Sequence, residues 1–177
     1  FEAVDRLRAD LFRLFALALD LDEHHFTPFV TKPIAQLNLV HYPALPPGSP
    51  RASGVGAHTD YECFTILWQD ENGGLEARNA AGAWVPVPPI PGTFVVNIGD
   101  MMALWSNDRF ASTLHRARNT SGNRRLSFPM FCGTNHDAVI SCLPSCTGAG
   151  NPPRHAPVIA GEWQAMKIAA GAKPVAA

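Results

Sequence analysis

Three residues in this chain have the types and spacing to hold one metal ion. His58 and Asp60 lie two apart in Ala57-His-Thr-Asp-Tyr61, and His115 follows in Ser112-Thr-Leu-His-Arg-Ala117. On an extended strand, residues two apart project from one face, so an imidazole nitrogen and a carboxylate oxygen can meet one ion from a short segment. A histidine from a distant strand completes two histidines and one carboxylate on one side of the metal. That donor set suits non-haem Fe(II) and leaves the opposite side open to other ligands. An isolated His-x-Asp is more often a surface turn than a ligand pair, so the reading leans on a second pair of residues. Arg125 and Ser127, in Arg125-Leu-Ser-Phe-Pro-Met-Phe131, are again two apart on a strand-like run. A guanidinium beside a hydroxyl suits a carboxylate that must be held bidentately.

These segments occur in a recognisable order. They run through Leu39-Val-His-Tyr-Pro43, Gly56-Ala-His-Thr-Asp-Tyr61, Gly73-Gly-Leu-Glu-Ala-Arg78, Pro91-Gly-Thr-Phe-Val-Val-Asn-Ile-Gly-Asp100, Ser112-Thr-Leu-His115 and Arg125-Leu-Ser-Phe-Pro129. In this the chain resembles the isopenicillin-N-synthase-like group of Fe(II)- and 2-oxoglutarate-dependent oxygenases. The resemblance implies that His58, Asp60 and His115 hold iron. It also implies that Arg125 and Ser127 bind the distal carboxylate of 2-oxoglutarate, with Tyr42 hydrogen-bonding beside them. Many plant members carry asparagine two residues before that tyrosine, where this chain has Val40. The implied reaction oxidises a small organic substrate with O2, by hydroxylation, desaturation or ring closure, and releases succinate and CO2. The implied fold is mainly β, a double-stranded β-helix or jelly roll with flanking N- and C-terminal helices.

Composition agrees with a globular chain. Hydrophobic residues make up 46% and charged residues 16% of 177, which argues against disorder. The length predicts a single domain, 1–177, and the resemblance implies a core at about 36–133. With 14 basic against 15 acidic residues and no Lys/Arg block, nothing favours nucleic acid or an anionic membrane. No run approaches the ~20 apolar residues of a membrane span, since Arg13 and Asp20 interrupt Leu11 to Leu21. The sequence opens on Phe1 without a secretory pattern, and the family's N-terminal region is expected to lie outside it. Cys63, Cys132, Cys142 and Cys146 do not form a disulfide pattern, and Cys142-Leu-Pro-Ser-Cys146 lacks the second pair a zinc site needs. A reducing, cytoplasmic setting is therefore expected.

Apolar residues at Val4, Leu7, Leu11, Leu14 and Ala18 predict a helix over 4–19, with Arg6, Arg8, Asp10 and Arg13 turned mostly away. From Gln36 onward the texture is of short strands between Gly and Pro. Strands are expected at 36–42, 55–60, 63–69, 75–78, 84–87, 93–98, 110–117 and 124–132, a count that suits a jelly roll. Pro43 to Pro50 reads as an irregular connection and Asn119 to Asn123 as a turn. Asp100 follows a glycine and is read as a turn residue. His41, His136 and His155 lack ligand-like company. After His136 the chain reads as loop, closed by a helix over 161–170. Two rivals remain open at this point: a zinc hydrolase built on the same triad, and a jelly roll that binds metal without turnover.

Overall fold

The longest strand organises the fold. In the computed structural model, which describes residues 1–46, 53–119 and 121–171, this strand, β9, spans Arg125–Asn135. The strands before it are β1 (Pro33–Leu37), β2 (Val40–Tyr42), β3 (Ser53–His58), β4 (Phe64–Gln69), β5 (Leu75–Arg78), β6 (Trp84–Pro86), β7 (Val95–Ile98) and β8 (His115–Asn119). All pairings are antiparallel. A five-stranded sheet runs β1-β9-β4-β7, with β2 also paired to β9, and a four-stranded sheet runs β3-β8-β5-β6. The chain is thus mainly β.

The period of two along β4 and β9 divides the large sheet into two unlike faces. Phe64, Ile66, Met130 and Cys132 are fully buried and join the main hydrophobic cluster. Thr65, Leu67, Arg125, Ser127, Pro129 and Phe131 face a cavity on the other side. Helix α1 (Glu2–Ala18) covers the first face, with the Phe12 and Phe15 rings 4.9 and 5.0 Å from Phe64.

The face that α1 buries differs from the expected stripe. Leu14 is exposed, whereas Arg8, Phe12 and Ala16 are buried. Packing of Phe12 and Phe15 on Phe64 sets the helix rotation and carries Arg8 inward. Its Nε donates to Asp5 at 2.7 Å, and its guanidinium lies 5.9 Å from the Phe12 ring.

Four further expectations change. The run 36–42 is broken at Asn38 and Leu39 into β1 and β2, which pair with different stretches of β9. Strand β8 begins at His115, not at residue 110. Residues from Asp100 form a short helix, α2 (Asp100–Trp105), whose apolar side chains are all buried; the run Met101-Met-Ala-Leu-Trp105 is too short to show a helical period. The tail after His136 carries the small hairpin-like pair β10 (Val139–Ile140) and β11 (Val158–Ile159) before α3 (Ala160–Gly171). Within the expected connection 43–50, residues 47–50 lie outside the described residues, as does Thr120 of the 119–123 turn. The four cysteines are unpaired.

Candidate metal centre and carboxylate anchor

The cavity between the sheets, about 210 Å³, takes side chains from both walls. His58 and His115 come from the four-stranded wall, where they are direct partners across β3 and β8. The β3 register shifts between Val55 and His58. That irregularity lets Val55 and His58, three apart, both line the cavity, which strict alternation forbids. Asp60 lies beyond the end of β3, in the crossing to β4. The same-strand geometry expected for His58 and Asp60 is therefore replaced by a strand end and a loop.

The three side chains nevertheless converge. One ligand atom from each of His58, Asp60 and His115 lies within 4.8 Å of the others. The Nε2 atoms stand 3.5 and 3.6 Å from Asp60 Oδ1. The outer atoms are occupied in a way that turns these three inward. His58 Nδ1 lies 2.8 Å from the Gly56 carbonyl and His115 Nδ1 lies 2.9 Å from that of Thr113, so each Nδ1 carries the proton and each Nε2 keeps its lone pair. Asp60 Oδ2 accepts from Thr65 Oγ1 at 2.5 Å and Asn97 Nδ2 at 2.8 Å, leaving Oδ1 for an ion. Burial opposes ionisation of Asp60, but the facing His58 imidazole, with hydrogen bonds from Thr65 and Asn97, holds its carboxyl at about 2. The Asp60 carboxylate raises His58, against the effect of burial.

The loop that carries Asp60 is pinned from two sides. The Asp100, Met101 and Gly99 N–H groups donate to the carbonyls of Asp60, Glu62 and Cys63, which satisfies donors a helix start leaves open. A side chain at Gly99 would run into the Glu62 carbonyl, so the close approach requires glycine. From α3, Trp163 Nε1 donates to the Tyr61 carbonyl at 3.3 Å and Gln164 Nε2 to Glu62 Oε1 at 2.9 Å. Lys167 pairs with Asp100 at 2.8 Å, so Asp100 acts as a junction of α2 and α3, not only as a turn residue. Burial pushes the Glu62 carboxyl up.

At the other end of the cavity, Arg125 is 1% exposed. Its Nε donates to the Gly73 carbonyl, Nη1 to Ser127 Oγ at 3.1 Å and Nη2 to Gln69 Oε1 at 3.2 Å. Gly74, at φ +87°, brings the backbone against Arg118 where no side chain fits. The guanidinium lies 4.7 Å from the Tyr42 ring, so the described contact of Tyr42 is through its ring. Among the described residues no carboxylate pairs with Arg125. Val40 lines the cavity, and so does Asn38 two residues earlier. His41 and His136 are exposed, and His155 pairs with Asp108 at 3.2 Å.

Thr65 and Gln69 support the site and belong to none of the motifs read from the sequence, whereas Asn97 lies within the segment Pro91–Asp100, which by itself assigns it no role. The available signal lies in β4, where Thr65 and Gln69 place polar groups on one face of an otherwise apolar strand.

The 2OG-Fe(II) oxygenase superfamily profile matches residues 34–134. A 2-oxoglutarate-Fe(II) type oxidoreductase of Emericella nidulans is 41% identical over 161 residues, covering 89% of this chain and 46% of that protein. A homoarginine-6-hydroxylase of Oryza sativa is 39% identical over 135 residues, 73% of this chain and 41% of the other. The crystal structure of a full-length Neurospora crassa protein in complex with alpha-KG and thymine superposes with a TM-score of 0.90 at 31% identity, over 97% of this chain and 54% of that one. The chain spans about half the length of the curated relatives it matches.

Proposed function

The chain belongs to the 2OG-Fe(II) oxygenase superfamily, and from that premise we propose that it oxidises a small organic molecule using Fe(II), 2-oxoglutarate and O2. His58, Asp60 and His115 are the proposed iron ligands, and Arg125, Ser127 and Tyr42 the proposed holders of the distal carboxylate of 2-oxoglutarate. The donor set fits: two imidazole Nε2 atoms and one free carboxylate oxygen converge, a set suited to Fe(II) with open positions. The observation that carries the reading is the buried Arg125 guanidinium, which lacks an anionic partner among the described residues and shares its cavity with the triad. A buried charge without its counter-charge is costly, and a carboxylate ligand would remove that cost. Water activation at zinc does not by itself call for such an anchor.

Iron, with 2-oxoglutarate and O2, supplies the oxidising chemistry when bound. The protein's own residues do the rest. The Gly56 and Thr113 carbonyls fix the imidazole tautomers, Thr65 and Asn97 orient Asp60, and Gln69 with the Gly73 carbonyl aims Arg125. Leu67, Leu75, Ala117 and Pro129 give the cavity apolar walls that limit water at the reacting centre. The opposed antiparallel sheets support a double-stranded β-helix, and one domain over 1–177 with its core at about 36–133 is in keeping with the profile match at 34–134. The relatives' names differ in what they act on, so their substrates do not transfer. Among the described residues no helix is long and apolar enough to cross a membrane.

The test is succinate formation from 2-oxoglutarate with added Fe(II), with and without ascorbate. The expected result is iron-dependent succinate release, accelerated by a substrate. Absence of both release and an anaerobic iron–2-oxoglutarate absorbance would refute the reading.

A further inference from the structure

A second cavity, about 230 Å³, opens beside the triad. His58, Asp60 and Phe131 line both cavities, while Arg125 and Ser127 line only the first. The candidate metal position thus stands in the wall between two compartments, and their charges are opposite. Where the first holds a buried guanidinium, the second holds Glu62, 8% exposed. The side chain that hydrogen-bonds Glu62 is the neutral amide of Gln164. Among the described residues, no lysine, arginine or histidine forms an ion pair with Glu62. The nearest cation on the same helix as Gln164, Lys167, is committed to Asp100 at 2.8 Å, with its ammonium 4.6 Å from the Trp163 ring.

The remaining lining adds no positive charge outside the triad. Gln36 donates its Nε2 to Asn38 at 2.7 Å, which orients the amide and leaves its Oε1 without a protein donor among the described residues. Phe131 contributes aromatic surface, which also favours cations, while the Tyr61 ring already has the Lys167 ammonium 5.9 Å away. A buried carboxylate without a cation is costly in its charged form, and a cationic ligand would offset that cost. The pairing of unlike compartments across one metal position follows: an anion belongs on the Arg125 side and a cation on the Glu62 side.

We propose that the second cavity is the substrate compartment and that Glu62 selects substrates carrying a cationic nitrogen group, an ammonium, amidinium or guanidinium. This rests on the oxygenase reading for the word substrate, but the ligand preference stands on Glu62 alone. The charge holds one end of the molecule and so places a neighbouring carbon at the metal position. Glu62 is therefore a specificity-determining residue. A purely structural latch to α3 through Gln164 is the competing role, and it depends on the hydrogen bond, not on the charge.

Isothermal titration calorimetry separates the two. The protein, loaded anaerobically with Fe(II) and 2-oxoglutarate, is titrated with n-butylguanidinium, n-butylammonium, pentanamide and pentanoate. The cations should bind at least tenfold more tightly than pentanamide, with pentanoate weakest. Glu62→Gln keeps an acceptor for Gln164 but should erase the preference; Gln164→Ala keeps the charge and should preserve it. Iron and 2-oxoglutarate affinities should stay within about threefold in Glu62→Gln, which keeps the Gln164 contact to the loop. Pentanamide or pentanoate binding as tightly as the cations would overturn the proposal, as would a preference that survives Glu62→Gln or is lost in Gln164→Ala. The same panel on the Zn(II)-loaded protein scores the cation preference separately. If the iron–2-oxoglutarate absorbance never forms, the oxygenase reading fails on its own, while a preference absent with zinc as well overturns the Glu62 assignment.

Discussion

The two walls of the central cavity are built differently. The five-stranded wall is backed by α1 and α2, and its outer face is the main hydrophobic cluster, with Phe64, Ile66, Met130 and Cys132 at 0 or 1% exposure. The four-stranded wall has no such backing among the described residues, and its outward side carries the Arg116–Glu76 ion pair at 2.6 Å. Arg125 and Ser127 stand on the backed wall, whereas His58 and His115 stand on the thinner one. The guanidinium must be held buried and charged, which needs a deep, water-poor setting and several fixed acceptors. The imidazoles need only neighbouring strands and a carbonyl each. Asp60, in the crossing between the walls, ties the two together through Thr65 on β4 and Asn97 on β7.

That contrast can be broken at several points. Phe64→Ala removes a fully buried ring beneath α1 and should destabilise the protein by about 3–5 kcal/mol, read by denaturant unfolding. Asn97→Ala frees Asp60 Oδ2 from one donor without touching a proposed ligand; iron affinity should fall about 10- to 100-fold in a competition titration. Ser127→Ala removes one neutral hydrogen bond beside Arg125 and should weaken 2-oxoglutarate binding by about 1 kcal/mol, measurable by calorimetry. Val85→Ala, on the outer edge of the thin wall, should change stability by less than about 0.5 kcal/mol. Equal losses for Phe64→Ala and Val85→Ala would remove the distinction between the walls.

The parts of the site legible in the sequence are those encoded at short range. Arg125 and Ser127 sit in a two-residue spacing that a strand period reveals; His58 and Asp60 share that spacing but reach the centre from a strand end and a loop, and His115 is singled out by the resemblance carried by Ser112-Thr-Leu-His115. The supporting groups are not local. Gln69 reaches Arg125 across 56 positions and Asn97 reaches Asp60 across 37, so only the pairing of β4 with β9 and β7 brings them in. The β3 irregularity is equally hidden, because the period of two cannot predict its own interruption. For the fold, the strands read correctly in kind, whereas α2 escapes a periodicity reading because an apolar run of its length has no period. The rotation of α1 is not local either: it depends on the partner surface, which puts Arg8 inside and Leu14 outside.

The most direct test of the central claim is one anaerobic experiment with two readouts, metal content by mass spectrometry and the iron–2-oxoglutarate charge-transfer absorbance. It compares wild type, His115→Ala, His41→Ala and Arg125→Gln. The thin-wall variant His115→Ala should lose iron and, with it, the absorbance, while His41→Ala should retain both. Arg125→Gln should keep its iron. Losing one partner of a buried charge pair costs about 2–5 kcal/mol, so its 2-oxoglutarate affinity should fall roughly 30- to 3,000-fold. Iron retained at wild-type affinity in His115→Ala, or unchanged 2-oxoglutarate affinity in Arg125→Gln, would contradict the account of one site shared between two walls.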